Sequence, residues 1–306
     1  MPAQLPHTPA FTRTRLAPTP SGYLHLGNAF SFALTAALAR KYGARILLRI
    51  DDLDRERCGL KYVQDIFDTL DYLEIPWDEG PRNIKEYRDS YSQAHRLHLY
   101  ETMLEELRAA GHIYACTCSR SDVARESAEG IYPGTCRIRN IPVNTRDACW
   151  RLDTSRAGTV RVKMPGGQMR DSPFPASMRD FVVRKKDGFP AYQLASVADD
   201  AHFSVDLVVR GEDLWPSTCA QLYLSSALGK SAFGNTSFFH HRLLAGPDGK
   251  KLSKTAGDTT VRQLRKQGMK PAHVYSLMAG ALAIPEPLAG WPGLAGHMRA
   301  LSAPGN

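Results

Sequence analysis

Two short segments far apart in the chain hold the side chains best suited to a reaction. They are Ala17-Pro-Thr-Pro-Ser-Gly-Tyr-Leu-His-Leu-Gly-Asn28 near the start and Gly249-Lys-Lys-Leu-Ser-Lys-Thr255 near the end. The first follows a strand-like Thr14-Arg-Leu-Ala17 and precedes a helix-like Ala29 to Lys41. That context sets His25 and Gly27 where backbone N–H groups converge on a phosphate. The second carries the ammonium groups of Lys251 and Lys254, which can clamp a triphosphate as charge develops on departing pyrophosphate. Either segment alone also reads as an ordinary turn or a solvated loop. Together they read as an ATP site.

Three further groups invite chemistry. Asp51, Asp52 and Asp54 form an acidic run that suits magnesium as an oxygen-only cluster, or that caps a following helix. Of six cysteines, Cys58, Cys149 and Cys219 stand alone, while Cys116, Cys118 and Cys136 lie within 21 residues. That clustering suggests a metal in place of disulfides, the alternative being three buried thiols. His240-His241 and the pair His95 and His98 are assigned to packing or surface; the adjacent His240 and His241 would point to opposite faces of a strand, which argues against a shared ligand role.

Around these groups, strand and helix patterns alternate early in the chain. Arg13 to Ala17 is expected as a strand, Ala29 to Lys41 as a helix closed by Gly43, and Ala44 to Ile50 as a buried parallel strand. Helices are expected at Val63 to Leu73 and Asp89 to Ala110, the latter with Leu97, Tyr100, Leu104 and Leu107 on one face. After Gly111 the composition shifts to Cys, Gly, Pro and short Arg-bearing strands until about Lys186, which suggests an inserted domain. Sheet is expected to resume near Tyr192, with a strand at Val205 to Val209, a helix at Ala220 to Leu228, and mainly helix beyond Val261.

At 306 residues the chain is long enough for two packed units. Its net charge of +8 favours an anionic partner, with nucleic acid as the leading class. The N-terminal residues lack a basic region followed by an apolar run, and the mostly apolar Phe30 to Ala39 is far shorter than a spanning helix. A cytoplasmic protein without membrane association is therefore expected.

The two signatures, in this order, resemble those of class I aminoacyl-tRNA synthetases. Leu48-Arg-Ile-Asp-Asp-Leu-Asp-Arg-Glu-Arg57, Tyr192-Gln-Leu-Ala-Ser-Val-Ala-Asp-Asp200 and Val209-Arg-Gly-Glu-Asp213 narrow the resemblance to the glutamate-specific branch. The resemblance implies an α/β fold: a Rossmann-like parallel sheet in two halves, 11–110 and 190–248. It also implies an inserted zinc-containing α+β, RNA-binding domain at 111–189, and a signature-loop and helical stem-contact region at 249–306. It implies that glutamate is held by Arg15, Leu16, Ala17, Pro18, Thr19, Asp51, Tyr192 and Arg210. Arg15 and Arg210 would reach carboxylates, since a planar guanidinium grips a carboxylate with two parallel bonds. ATP, with Mg2+, would meet His25, Gly27, Asn28, Lys251, Ser253 and Lys254, of which His25, Gly27, Lys251 and Lys254 would serve catalysis. Cys116, Cys118, Tyr132 and Cys136 would hold one structural zinc ion.

Asp51 departs from the family, which usually carries Glu there to hold the substrate's ammonium. Because the chain runs only about 50 residues past Thr255, it further resembles the short branch that places glutamate on the queuosine base of tRNA(Asp). The expected partners are then glutamate, ATP and tRNA(Asp) bearing queuosine, and the expected state is a monomer. Two alternatives stay open: a shortened enzyme charging the 3′ end of tRNA(Glu), and a non-catalytic RNA-binding paralogue.

Overall fold

Parallel pairing organises the part of the chain around the first signature. The computed structural model describes residues 10–244 and 260–303. Strand β1 (Arg13–Leu16) pairs in parallel with β2 (Arg45–Leu48), and the 17-residue helix α1 (Leu26–Tyr42) is the crossover between them. Gly43, at φ 76°, ends α1 in the left-handed conformation that L side chains rarely adopt. Next come α2 (Leu60–Tyr72) and α3 (Leu97–Ala109).

The helix expected from Asp89 onward is broken at Ser92. A π turn covers Tyr87–Tyr91, a 3-10 turn covers Gln93–Arg96, and only then does α3 begin. Asp52 explains the break. Its carboxylate accepts from Tyr87 Oη at 2.6 Å, Ser92 Oγ at 2.5 Å and the Gln93 amide at 2.8 Å, which takes that amide out of a continuous helix.

The middle of the chain holds β3 (Ile113–Cys116), α4 (Arg120–Glu126), β4 (Cys149–Leu152), β5 (Thr159–Lys163), β6 (Met169–Pro173) and β7 (Val182–Arg184). β3, β4 and β7 form a separate three-stranded sheet. β5 and β6 do not join it. They extend the main sheet, whose order is β2-β1-β8-β9-β5-β6 with β8 at Leu207–Gly211 and β9 at Ser237–His241. The stretch 111–189 is thus not one free-standing insertion, because β5 lies parallel to β9 where Lys163 pairs with Ser237.

Nor does sheet resume at Tyr192, which opens the helix α5 (Tyr192–His202). Leu194, Ala195, Val197 and Ala198 recur at helical spacing and are buried against α3 and α6 (Trp215–Ala227).

All five residues of β8 are buried, as a parallel strand covered on both faces requires. Its side chains alternate between two cores. Leu207 and Val209 meet α1 on one face, and Val208 meets α5 and α6 on the other. Beyond residue 260, α7 (Val261–Lys266) and α8 (Pro271–Ala281) add Val261, Val274 and Met278 to the α1 side, where Tyr275 donates to the Leu73 carbonyl at 2.7 Å. Among the described residues no helix is long and apolar enough to cross a membrane.

Candidate active site

Neighbouring strands β1 and β8 send their helices, α1 and α6, to opposite faces of the sheet. Such a switch point leaves a crevice beyond the strands' carboxyl ends. A cavity of about 670 Å³ opens there. Ala17, Pro18 and Thr19 line it just past β1, and Arg210 and Gly211 line it at the end of β8. Tyr192 reaches it from the start of α5 with 46% of its surface exposed. Leu16 does not line it: the side chain is wholly buried in the α1 core, and its carbonyl accepts from the Arg49 amide at 2.8 Å.

His25, Gly27 and Asn28 form one lip of the cavity. His25 is the N-cap of α1, and the Asn28 side chain turns back to accept the His25 amide at 3.2 Å. No acidic residue occupies the first turn, and a Cβ on Gly27 would meet nothing within 4 Å. The open N-terminus of a long helix therefore faces the crevice, a setting that favours a phosphate. Lys251, Ser253 and Lys254 lie outside the described residues. The chain on either side comes to the same cavity: Leu244 lines it, and Thr260 bridges to His25 while the Val261 amide donates to Leu24 O at 2.9 Å.

Behind the cavity lies a buried ion network that the motifs only partly announced. Arg49 grips Asp51 through two bonds, Nε to Oδ1 at 2.6 Å and Nη2 to Oδ2 at 3.0 Å, and gives Nη1 to Asp200 at 2.6 Å. Asp200 also accepts from Arg15 Nε at 3.3 Å. Asp199 is held by Arg96, by Tyr100 Oη at 2.8 Å and by Gln93 Nε2 at 2.9 Å. Burial alone would raise the pKa of Asp199, but Arg49 and Arg96 outweigh it and hold the carboxyl below its usual range. For Asp51 burial wins over Arg49, and its pKa is raised.

The acidic run therefore does not converge on an ion. Asp51 faces Arg49, Asp52 fixes the 87–93 segment, and Asp54 pairs with Arg57 at 2.5 Å. Three carboxylates, those of Asp51, Asp199 and Asp200, answer the three guanidiniums of Arg15, Arg49 and Arg96.

Arg210 stands outside this balance. It is 3% exposed; Nη2 donates to the neutral Gln221 Oε1 at 2.9 Å, and the Tyr192 phenol lies beside it. Nε and Nη1 have no acceptor among the described residues. Burial, reinforced by the charge of Arg15 and opposed by Tyr192 and Asp200, brings its pKa down to about 10. It remains a cation at neutral pH, with two donor nitrogens lacking acceptors on the wall of a cavity.

His240 and His241 occupy opposite faces of β9. His240 Nε2 meets Thr218 Oγ1 at 2.9 Å on the α6 side. His241, on the α1 side, sets Nδ1 2.9 Å from the Arg242 carbonyl and Nε2 3.0 Å from Ser31 Oγ. Burial lowers the pKa of His241 to about 4.

A second cluster lies in the three-stranded sheet. The sulfurs of Cys116, Cys118 and Cys136 are all within 4.8 Å of one another, with Cys118 and Cys136 3.5 Å apart. A tetrahedral ion about 2.3 Å from each sulfur sets sulfurs about 3.8 Å apart, so the trio fits zinc. Tyr132 is buried beside them, its Oη accepting the Cys136 amide at 2.9 Å and its ring covered by the Arg151 guanidinium at 3.6 Å. A hydrogen bond from Cys149, with help from Tyr132 and Arg151 and against burial, holds the Cys116 thiol below its usual range, while burial and the neighbouring thiols push Cys118 up.

The family model described as tRNA synthetases class I (E and Q), catalytic domain, matches residues 12–281. The Glutamyl-Q tRNA(Asp) synthetase of Symbiobacterium thermophilum is 38% identical over 90% of this chain and 88% of its own length. The Glutamate--tRNA ligase 2 of Syntrophus aciditrophicus is 34% identical over 87% of this chain, which spans only 56% of that relative. Among solved structures, a glutamate tRNA ligase from Elizabethkingia meningosepticum in complex with its amino acid is similar, with a TM-score of 0.64 and 25% identity. That match covers 81% of this chain and 52% of the ligase.

Proposed function

The chain belongs to the class I tRNA synthetase family of the E and Q type, and from that premise we propose that it activates glutamate with ATP and passes the glutamyl group to the queuosine base of tRNA(Asp). The observation that carries the first half is Arg210. A buried guanidinium with two nitrogens lacking acceptors calls for an anionic ligand, and a carboxylate can take two parallel N–H bonds from it. Tyr192 closes over that ligand.

Glutamate seated there directs its α-carboxylate toward the α1 N-terminus, where ATP phosphates meet the amides around Gly27. Attack of a carboxylate oxygen on the α-phosphorus forms the adenylate and breaks the bond to pyrophosphate. No general base is needed, because the nucleophile is already an anion. Lys251 and Lys254 neutralise the leaving pyrophosphate, so catalysis comes from positioning and charge. Asp51 receives the substrate ammonium while keeping its bonds to Arg49.

Zinc, when bound, organises the Cys116, Cys118, Tyr132 and Cys136 loop and takes no part in the reaction. RNA meets the surface of residues 111–189, which carry 14 Lys and Arg against 8 Asp and Glu, or +6 of the chain's +8. The acceptor assignment draws support from the 38% identity to a relative named as a glutamyl-Q tRNA(Asp) synthetase, against 34% to a relative named as a glutamate ligase.

Labelled glutamate, ATP and total tRNA, with and without prior periodate oxidation of 3′ ends, test the proposal. Label on tRNA(Asp) that survives oxidation supports it. Label on the terminal ribose of tRNA(Glu) would replace it with the ordinary ligase reaction. Failure to form an adenylate leaves the RNA-binding paralogue.

A further inference from the structure

Gln221 is wholly buried on α6, is not among the residues lining the cavity, and is joined to the site by its hydrogen bond from Arg210. An arginine offers donors alone, so the amide must present Oε1 to it, as it does to Nη2 at 2.9 Å. This leaves Gln221 Nε2, like Arg210 Nε and Nη1, without an acceptor among the described residues. The pair thus holds three nitrogen donors short of acceptors and a full positive charge, in a place where every other arginine of the network has a carboxylate partner.

We infer that Gln221 is a positioning residue that sets specificity for an anionic amino-acid side chain. Its single bond fixes the guanidinium plane while its neutrality keeps the charge uncancelled. Glutamate is the isostere of glutamine. A carboxylate at position 221 would occupy the same volume, accept two bonds from Arg210, and neutralise the pocket from within. The amide leaves that neutralisation to the substrate. The β9 side offers no competing anion, because Arg210 packs there over the Phe238 ring at 5.1 Å. This inference rests on the reading that Arg210 receives the substrate's side-chain carboxylate.

The test is amino-acid-dependent pyrophosphate exchange with glutamate and with glutamine, for the whole protein and for Gln221→Glu and Gln221→Met. Gln221→Glu is expected to raise KM for glutamate on the order of 10- to 100-fold, the worth of a charge-assisted hydrogen bond. KM for ATP should stay within about threefold, and the preference for glutamate over glutamine should shrink by a similar factor. Gln221→Met keeps the pocket's charge and loses only the orienting bond. It should raise KM for glutamate by roughly tenfold while retaining the preference over glutamine.

An unchanged glutamate KM in a folded Gln221→Glu protein overturns the inference while leaving the reading of Arg210 intact. Equal loss of preference in both variants also overturns it, since charge would then not be the cause. If the unaltered protein shows no glutamate-dependent exchange, the reading and the inference fall together.

Discussion

Arg49 and Asp200 are separated by 151 positions in the chain, yet Nη1 of one lies 2.6 Å from Oδ1 of the other, both within a fully buried network. Through this contact β2 and α5 are held in the register that lets Arg15, Asp51 and Tyr192 face one cavity. Arg49 itself keeps its proton firmly: burial works against the charge, but Asp51, Asp200 and Asp199 outweigh it.

Removing Arg49 should therefore cost more than removing a surface cation. Arg49→Met leaves buried carboxylates uncompensated, and a loss of about 3 to 5 kcal/mol is expected in denaturant unfolding. Arg49→Lys should rescue little, because an ammonium cannot reproduce the paired bonds to Asp51 together with the bond to Asp200. A loss under about 1 kcal/mol for Arg49→Met, the scale of an exposed ion pair, would show that the network is not a structural support.

Acid should find His241 before it finds most of the fold. Its pKa is depressed by burial to about 4 from 6.5, so the unfolded chain takes up the proton first as pH falls. The stability it contributes is complete above about pH 6.5 and is lost as pH falls toward 4, up to on the order of 3 kcal/mol. His241→Gln should flatten the slope of unfolding free energy across that window relative to the unaltered protein. Equal slopes would remove His241 as the source.

One zinc ion per chain is expected in protein purified without chelator. Cys118→Ser should lose the metal and speed hydrogen exchange in residues 111–140, while glutamate-dependent pyrophosphate exchange stays within a few fold because none of Cys116, Cys118, Tyr132 and Cys136 lines the cavity. Elemental analysis without zinc would dispose of the assignment.

Lys254→Ala tests the second signature. A deleted contact to the leaving pyrophosphate should lower exchange by roughly 100-fold with KM for glutamate little changed. Activity within a few fold of the unaltered enzyme would take Lys254 out of the reaction.

Local spacing was enough to place the parts that act through their own turn of chain. His25 and Gly27 sit at a helix start because a strand, a glycine-bearing turn and an apolar run adjoin in sequence, and Cys116, Cys118 and Cys136 meet because they lie within 21 residues. Other features escaped local reasoning. Tyr192 opens a helix where sheet was expected, β5 and β6 leave the insertion for the main sheet, and Asp51 to Asp54, read as a possible metal cluster, disperse to three different partners. Propensity and spacing act over a few residues, whereas the partner of a buried charge is chosen by whichever distant element packs against it. Sequence alone determined which guanidiniums this protein has. Only the meeting of β1, β2, β8, α5 and α6 decided that Arg15 and Arg49 would find carboxylates and that Arg210 would be left with Gln221, a charge turned toward the cavity.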